Sequence, residues 1–328
     1  MPDVPDDDYR VVLGEESLDW RGLTATELGK ALDTLSDLLQ PLTDGRTVAI
    51  MQTAYETECL PSAVLAEALY SRDGGLPQEE RRRLQSLLDK CRKIEPEDED
   101  IPPLVRLADG HPQEASWGLA HALARAATGR AMSCLLLPAM KATGSSRPTG
   151  WITVHRDTGA DRDEVELHLL RTTEDAVAFW RGMITREKVS EEQFFALTPT
   201  AFPDLLFAPS LRFNRFRGSH GEVLNWLVGL LGLLNDHFSR TLADCGGDQK
   251  KVQDYFKAMG ADISPESPNT KKNAKAWAER LVEYDGDQHR CEWHGKRRWD
   301  CDRVHFSLPL KAHSNRVLIG IFVDHLPT

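Results

Sequence analysis

The chain has 328 residues, with 40 Lys and Arg against 51 Asp and Glu, for a formal net charge of −11. That balance argues against a protein coated with nucleic acid over its whole surface. Residues 1–8 are acidic and lack the apolar stretch of a secretory leader, no run of about 18 apolar residues occurs, and six scattered cysteines make no disulfide framework. The expected setting is the cytoplasm, with reduced thiols, no membrane contact and no cofactor.

The charge is uneven: residues 211–328 carry about +3 and residues 1–210 about −14. The two halves are therefore expected to meet different partners. Along the chain, Thr24 and Glu27 form a capping box, and Leu28, Ala31, Leu32, Leu35, Leu38 and Leu39 follow at helical spacing until Pro41. A second helix opens near Pro77, with Leu84, Leu87, Leu88 and Cys91 on one face. The Arg81-Arg82-Arg83 run on its other side, beside Glu79 and Glu80, reads as a salt-bridged surface. Residues 95–103 hold five acids and three prolines and read as a linker.

Beyond it, a helix is expected from Pro112 to Gly129 and a buried strand over residues 132–137. Residues 151–155 and 165–169 alternate about a Gly/Asp-rich turn, which predicts a hairpin. Helices follow from Glu174 and after Ser190, and a boundary falls near residues 202–210. The helix over residues 223–238 is apolar around most of its circumference, as a core helix or an oligomer contact would be. A helix over residues 250–259, a polar loop and a basic helix over 271–281 lead to three closing strands. Strands and helices neither alternate regularly nor repeat, which predicts an α+β fold rather than a doubly wound one. The expected domains are a mainly helical acidic one over 1–94, an α+β one over 104–210, and a basic one of helices and antiparallel meander over 211–328.

Phosphate-loop, dinucleotide-binding and metalloprotease signatures are missing from the sequence. Candidate chemistry concentrates in the last forty residues, which hold five of the eleven histidines. Strand alternation puts Glu292, His294 and Lys296 on one face, opposite Cys291 and Trp293; in the next strand Arg303, His305 and Ser307 oppose Val304, Phe306 and Leu308. If the apolar faces share one core, the polar side chains line the other side together, with His325 at the end of the last strand. Such a face can cleave RNA without metal. Glu292, His294, His305 and His325 supply acid–base groups, and Lys296, Arg297, Arg298 and Arg303 hold phosphates. The layout has a physical analogy in messenger-cleaving toxins. Arg212, Arg215 and Arg217, interleaved with Phe213 and Phe216, form a second phosphate-binding candidate. An alternative reading takes Cys291, His294, Cys301 and His305 as a zinc set, which demands a turn where alternation predicts a strand.

The run Cys291-Glu292-Trp293-His294, then Asp302-Arg303-Val304-His305-Phe306, then Asp324-His325-Leu326, resembles the C-terminal segment of a set of uncharacterised bacterial proteins. Phe202-Pro203, Leu205 and Phe207 are similar to their middle region. The resemblance implies a bacterial source and a mobile-element or phage-defence setting, but carries over no functional residue. The expected function is binding of nucleic acid, RNA ahead of DNA, by the basic C-terminal module, with metal-independent cleavage as an option. The alternative is a non-catalytic subunit that binds partner proteins through its acidic half and its apolar helices, that over residues 223–238 above all.

Overall fold

The computed structural model describes residues 9–45, 47–96, 104–107, 113–137, 149–157 and 162–326. It combines helices and sheets in an α+β arrangement and divides into two units, Met1–Phe179 and Trp180–Thr328. No helix among the described residues is long and apolar enough to cross a membrane.

The strands of the first unit are β1 (Val11–Leu13), β2 (Val48–Met51), β3 (Glu58–Leu60), β4 (Ala63–Val64) and β5 (Arg92–Ile94), then β6 (Leu104–Leu107), β7 (Gln113–Glu114), β8 (Ser133–Leu135), β9 (Gly150–Asp157) and β10 (Arg162–Leu170). Its helices are α1 (Ala25–Asp44), α2 (Leu65–Tyr70), α3 (Gln78–Lys90) and α4 (Trp117–Ala127); α5 (Thr173–Arg186) follows. Eight strands form one sheet in the order β5-β2-β1-β8-β10-β9-β6-β7. The first five run parallel, while β9, β6 and β7 continue antiparallel.

The sheet corrects two expectations. Residues 1–94 are not simply helical: they supply three parallel strands, and Val12 pairs with Cys134 across the expected linker. Most of that linker, residues 97–103, lies outside the described residues. Every residue of β1 and β2 is buried, because a parallel strand is covered on both faces and reads as an unbroken apolar run. Val12, Ala49 and Cys134 pack with Leu119 and Leu123 of α4. The Thr24–Glu27 capping box forms, but α1 continues through Pro41 to Asp44. In the last turn a proline removes one backbone donor without forcing the helix to end. Arg83 pairs with Asp33 and Asp37, as the salt-bridge reading expects.

Strand order reverses between β1 and β8, where crossovers leave in opposite directions and open a crevice that often takes a ligand. Here the chain fills the position itself. Gly118 N, in the first turn of α4, donates to Glu15 Oε2 at 2.8 Å, and Ser116 Oγ donates to Glu16 Oε2 at 2.8 Å. A Cβ on Gly118 would stand 2.6 Å from Leu13 O, so only glycine lets α4 approach β1 this closely.

The second unit contains α6 (Glu191–Ala201), β11 (Leu205–Phe207), α7 (His220–Leu233), α8 (Ser239–Asp244), α9 (Gln249–Ala258), β12 (Asp262–Pro265), α10 (Pro268–Lys272) and α11 (Ala274–Ala278). Its remaining strands are β13 (Leu281–Tyr284), β14 (Asp287–Arg290), β15 (Trp293–Lys296), β16 (Arg303–Phe306) and β17 (Val317–Val323). The sheet runs β11-β17-β16-β15-β12, antiparallel except for β11 beside β17. The predicted basic helix is two short helices that meet at Asn273, whose side chain caps the second. A π-helical turn, Leu234–Phe238, joins α7 to α8. Phe238 from that turn packs on Trp293 and Phe306, with ring centroids 5.3 and 5.0 Å away. A Cβ on Gly295 would stand 2.5 Å from Leu230 Cδ2, so this glycine seats α7 against β15. The apolar α7 is thereby a core helix, with Val223, Leu224, Leu227, Val228, Leu230 and Leu231 all buried.

Candidate functional site

Alternation in β15 and β16 places side chains as the sequence predicts, but the polar face is not open. His294 and His305 are cross-strand partners, their ring centroids 5.2 Å apart. Both are buried, His305 with 0% of its surface exposed, and Ser307 is buried too. The expectation of a solvent-facing acid–base sheet is corrected: the chain between β12 and β15 folds over this face. It brings two residues that sequence reasoning passed over. Glu266 extends the β12 edge, its N–H donating to Glu292 O at 2.8 Å. Arg280, just beyond α11, reaches Glu266 with Nε 3.0 Å from Oε1 and Nη2 3.5 Å from Oε2.

Glu266 Oε1 stands 3.6 Å from His294 Nδ1 and 3.2 Å from His305 Nδ1. Neither contact has hydrogen-bond geometry, and His294 Nδ1, His305 Nδ1 and His305 Nε2 are all buried without a partner. His294 Nε2 lies 3.2 Å from Ser264 Oγ. Burial pushes His305 down to about 4 and lowers His294 as well, although Glu266 opposes both shifts. At neutral pH the two rings are therefore uncharged. Burial alone would raise Glu266, but His294, His305 and Arg280 around it outweigh that effect and hold its carboxyl well below the usual range.

The other predicted acid–base residues are elsewhere. Glu292 pairs with Lys271 Nζ at 3.1 Å, and His325 is exposed beyond β17. The four histidine and glutamate candidates thus do not converge on one groove. The Cys-His zinc set does not assemble either. Cys291 Sγ lies where a side chain on Gly320 would stand, and Cys301 Sγ contacts Asp302. Among the described residues, no potential metal-binding group joins either cysteine to His294 or His305. A second acidic group, Cys301, Asp302 and Asp324, is occupied by its own chain. Asp302 Oδ1 accepts from Arg217 N at 2.7 Å and Gly218 N at 3.2 Å, and its Oδ2 from Arg297 Nη1 at 3.0 Å.

The basic candidates separate into committed and available groups. Arg297 is held by Asp302, and Arg217 by Asp300 and Asp324. Arg212 donates to the carbonyls of Pro209 and Leu211. The rings beside them are not free for stacking: Phe213 and Phe216 are buried, in contact with Phe322. Arg215 is exposed at an open groove of about 630 Å³ that also holds Glu279 and Glu283. Among the described residues Lys296, Arg298 and Arg303 make no salt bridge, although Asp262 is the cross-strand neighbour of Lys296; Lys296 and Arg303 face each other across the ladder. Arg303 Nη2 donates to Trp299 O at 3.3 Å, while its Nε is buried without a partner.

Trp299 completes the surface and was missed in the sequence. It sits at the tip of the β15–β16 hairpin, where Arg297 N bonds Asp302 O and Arg298 N bonds Cys301 O. Trp299 is 86% exposed, the highest of the exposed large apolar residues among those described. The available signal was an aromatic inside the polar turn Arg298-Trp299-Asp300, where no core pattern called for one. Compared with known proteins, the chain matches no family model, no curated protein and no solved structure.

Proposed function

We propose that the β15–β16 hairpin binds single-stranded nucleic acid, with Trp299 stacking on a base and Lys296, Arg298 and Arg303 holding adjacent phosphates. The observation that carries this reading is Trp299, 86% exposed at a hairpin tip, beside Lys296, Arg298 and Arg303, which make no salt bridge among the described residues. An indole in water offers a stacking face that accepts any base, and neighbouring cations supply the sequence-independent attraction to the backbone. Cleavage by His294 and His305 has no support from their burial, since an acid–base group must reach the ribose hydroxyl or the leaving oxygen. The reading is therefore of a binding module. Partner-protein binding through α7 loses its motive, because that helix is spent in the core of its own unit.

The test is titration of oligouridine and oligothymidine into the full chain at several salt concentrations. Trp299→Ala is expected to weaken binding by about 1–3 kcal/mol. Lys296→Ala and Arg298→Ala are each expected to reduce the salt slope by about one phosphate. Equal affinity for wild type and Trp299→Ala, or no binding at low salt, rejects the proposal. A protein partner retained by wild type and lost by Trp299→Ala, with no oligonucleotide bound, would assign the hairpin to protein recognition instead.

A further inference from the structure

We propose that Glu266, His294 and His305 form a zinc site, with one carboxylate oxygen and the two Nδ1 atoms as ligands. One ligand atom from each residue lies within 4.8 Å of the other two, on strands β15 and β16 and at the edge of β12. Zinc holds nitrogen and oxygen ligands at about 2.0–2.2 Å in a tetrahedron, so neighbouring ligand atoms stand roughly 3.3–3.5 Å apart. The observed Oε1–Nδ1 separations of 3.6 and 3.2 Å bracket that edge length. The 3.6 Å contact is too long for a hydrogen bond.

The surroundings point the same way. If His294 donates its Nε2 proton to Ser264 Oγ, 3.2 Å away, its Nδ1 carries a bare lone pair directed toward a carboxylate oxygen. In that tautomer the pair makes no hydrogen bond, and a cation between the two atoms would satisfy both. A hydroxyl or carbonyl that orients the far nitrogen is the usual support of a ligating histidine. The burial that keeps both rings unprotonated also leaves them ready to bind at neutral pH. Arg280 binds the same carboxylate, with Nε 3.0 Å from Oε1 itself and Nη2 3.5 Å from Oε2. Each carboxylate oxygen has two acceptor sites, so the guanidinium fixes the carboxylate and leaves an acceptor site on Oε1 for the metal. Two imidazoles with one carboxylate suit zinc, whereas magnesium and calcium prefer oxygen throughout. Three protein ligands leave the fourth position to water or hydroxide. An anionic hydroxide there is favoured by Arg280 and by Lys296 and Arg303, the next pair along the same face. Within the unit the metal would tie β12, β15 and β16 together beneath the 266–290 cover. This inference stands or falls apart from nucleic-acid binding at the hairpin tip.

The experiment strips the purified full chain with chelator, reloads it with Zn²⁺ alone, and measures metal after desalting. Wild type is expected to retain about one equivalent. Glu266→Gln and His294→Asn are expected to retain almost none, while Cys301→Ser keeps the full equivalent. With Co²⁺ substituted for zinc, visible absorption of a low-coordinate site is expected without the near-ultraviolet band of a thiolate ligand. The cobalt spectrum and the wild-type stoichiometry do not depend on how well any variant folds. Failure of wild type to retain zinc overturns the proposal. So does an equivalent that survives Glu266→Gln, one that disappears in Cys301→Ser, or a thiolate band with cobalt.

Discussion

Two buried glutamates, one in each unit, show how neighbours decide what a carboxylate becomes. Glu15 ends the run after β1 and accepts one backbone N–H from Gly118, while its Oε1 is buried without a partner. Burial dominates there, with the nearby Glu16 adding to it, and the pKa rises above its ordinary 4.5. Glu266 is also buried, yet Arg280 and two imidazoles surround it, and its carboxyl is held far down. The shifts are opposite because desolvation raises both carboxyls, and only Glu266 has a guanidinium and two imidazoles beside it to outweigh that effect. The first unit uses its glutamate to cap a helix and close a crevice. The second gathers donors around one, which is the arrangement expected where an ion or a ligand is handled.

The largest effect expected from this contrast is in Arg280→Ala. It leaves Glu266 buried without its ion pair and should cost about 3–5 kcal/mol, read from urea unfolding of the full chain. A loss below about 1 kcal/mol would mean that the guanidinium is not what holds the carboxylate. Next comes Gly118→Ala. The added carbon must displace Leu13 O, at 2.6 Å, or Glu15 Oε2, at 3.0 Å, and overpacking of this kind costs about 1–3 kcal/mol. An unchanged stability would show that the capped crevice is softer than its contacts imply.

The third test separates the two carboxylates by pH. Glu15 has a raised pKa, so its stabilising contribution is complete below its unfolded value near 4.5 and is lost as pH rises through the folded value. Relative to Glu15→Gln, wild type should therefore weaken as pH rises. Glu266 has a lowered pKa, so its contribution is present above about 4.5 and is lost as pH falls toward the folded value. In chelator-treated protein, wild type should weaken relative to Glu266→Gln on acidification. Parallel pH profiles for the two pairs would break the comparison. The smallest stability effect is expected for Trp299→Ala, within about 0.5 kcal/mol, since the ring supports nothing beneath it. A larger loss would place Trp299 in the fold and remove it from the binding surface.

Local signals in the sequence carried a definite share of this molecule. The Thr24–Glu27 and Ser190–Gln193 capping boxes, the β9–β10 hairpin and the alternation of β15 and β16 were all readable, because each depends on residues a few positions apart. The placement of Lys296 and Arg303 on one face was readable for the same reason. The parallel strands β1 and β2 escaped notice: Val11-Val12-Leu13 and Val48-Ala49-Ile50-Met51 are too short to show a period and gain meaning only from β8, more than eighty residues later. Glu266 and Arg280 escaped for a related reason. Each reads as solvated surface until the 266–290 segment folds across the sheet and removes the water from both. Side-chain direction is a local consequence of backbone geometry, and the sequence determined it. Whether the face that His294 and His305 share meets water or protein depends on what packs there, and only the tertiary structure decided that.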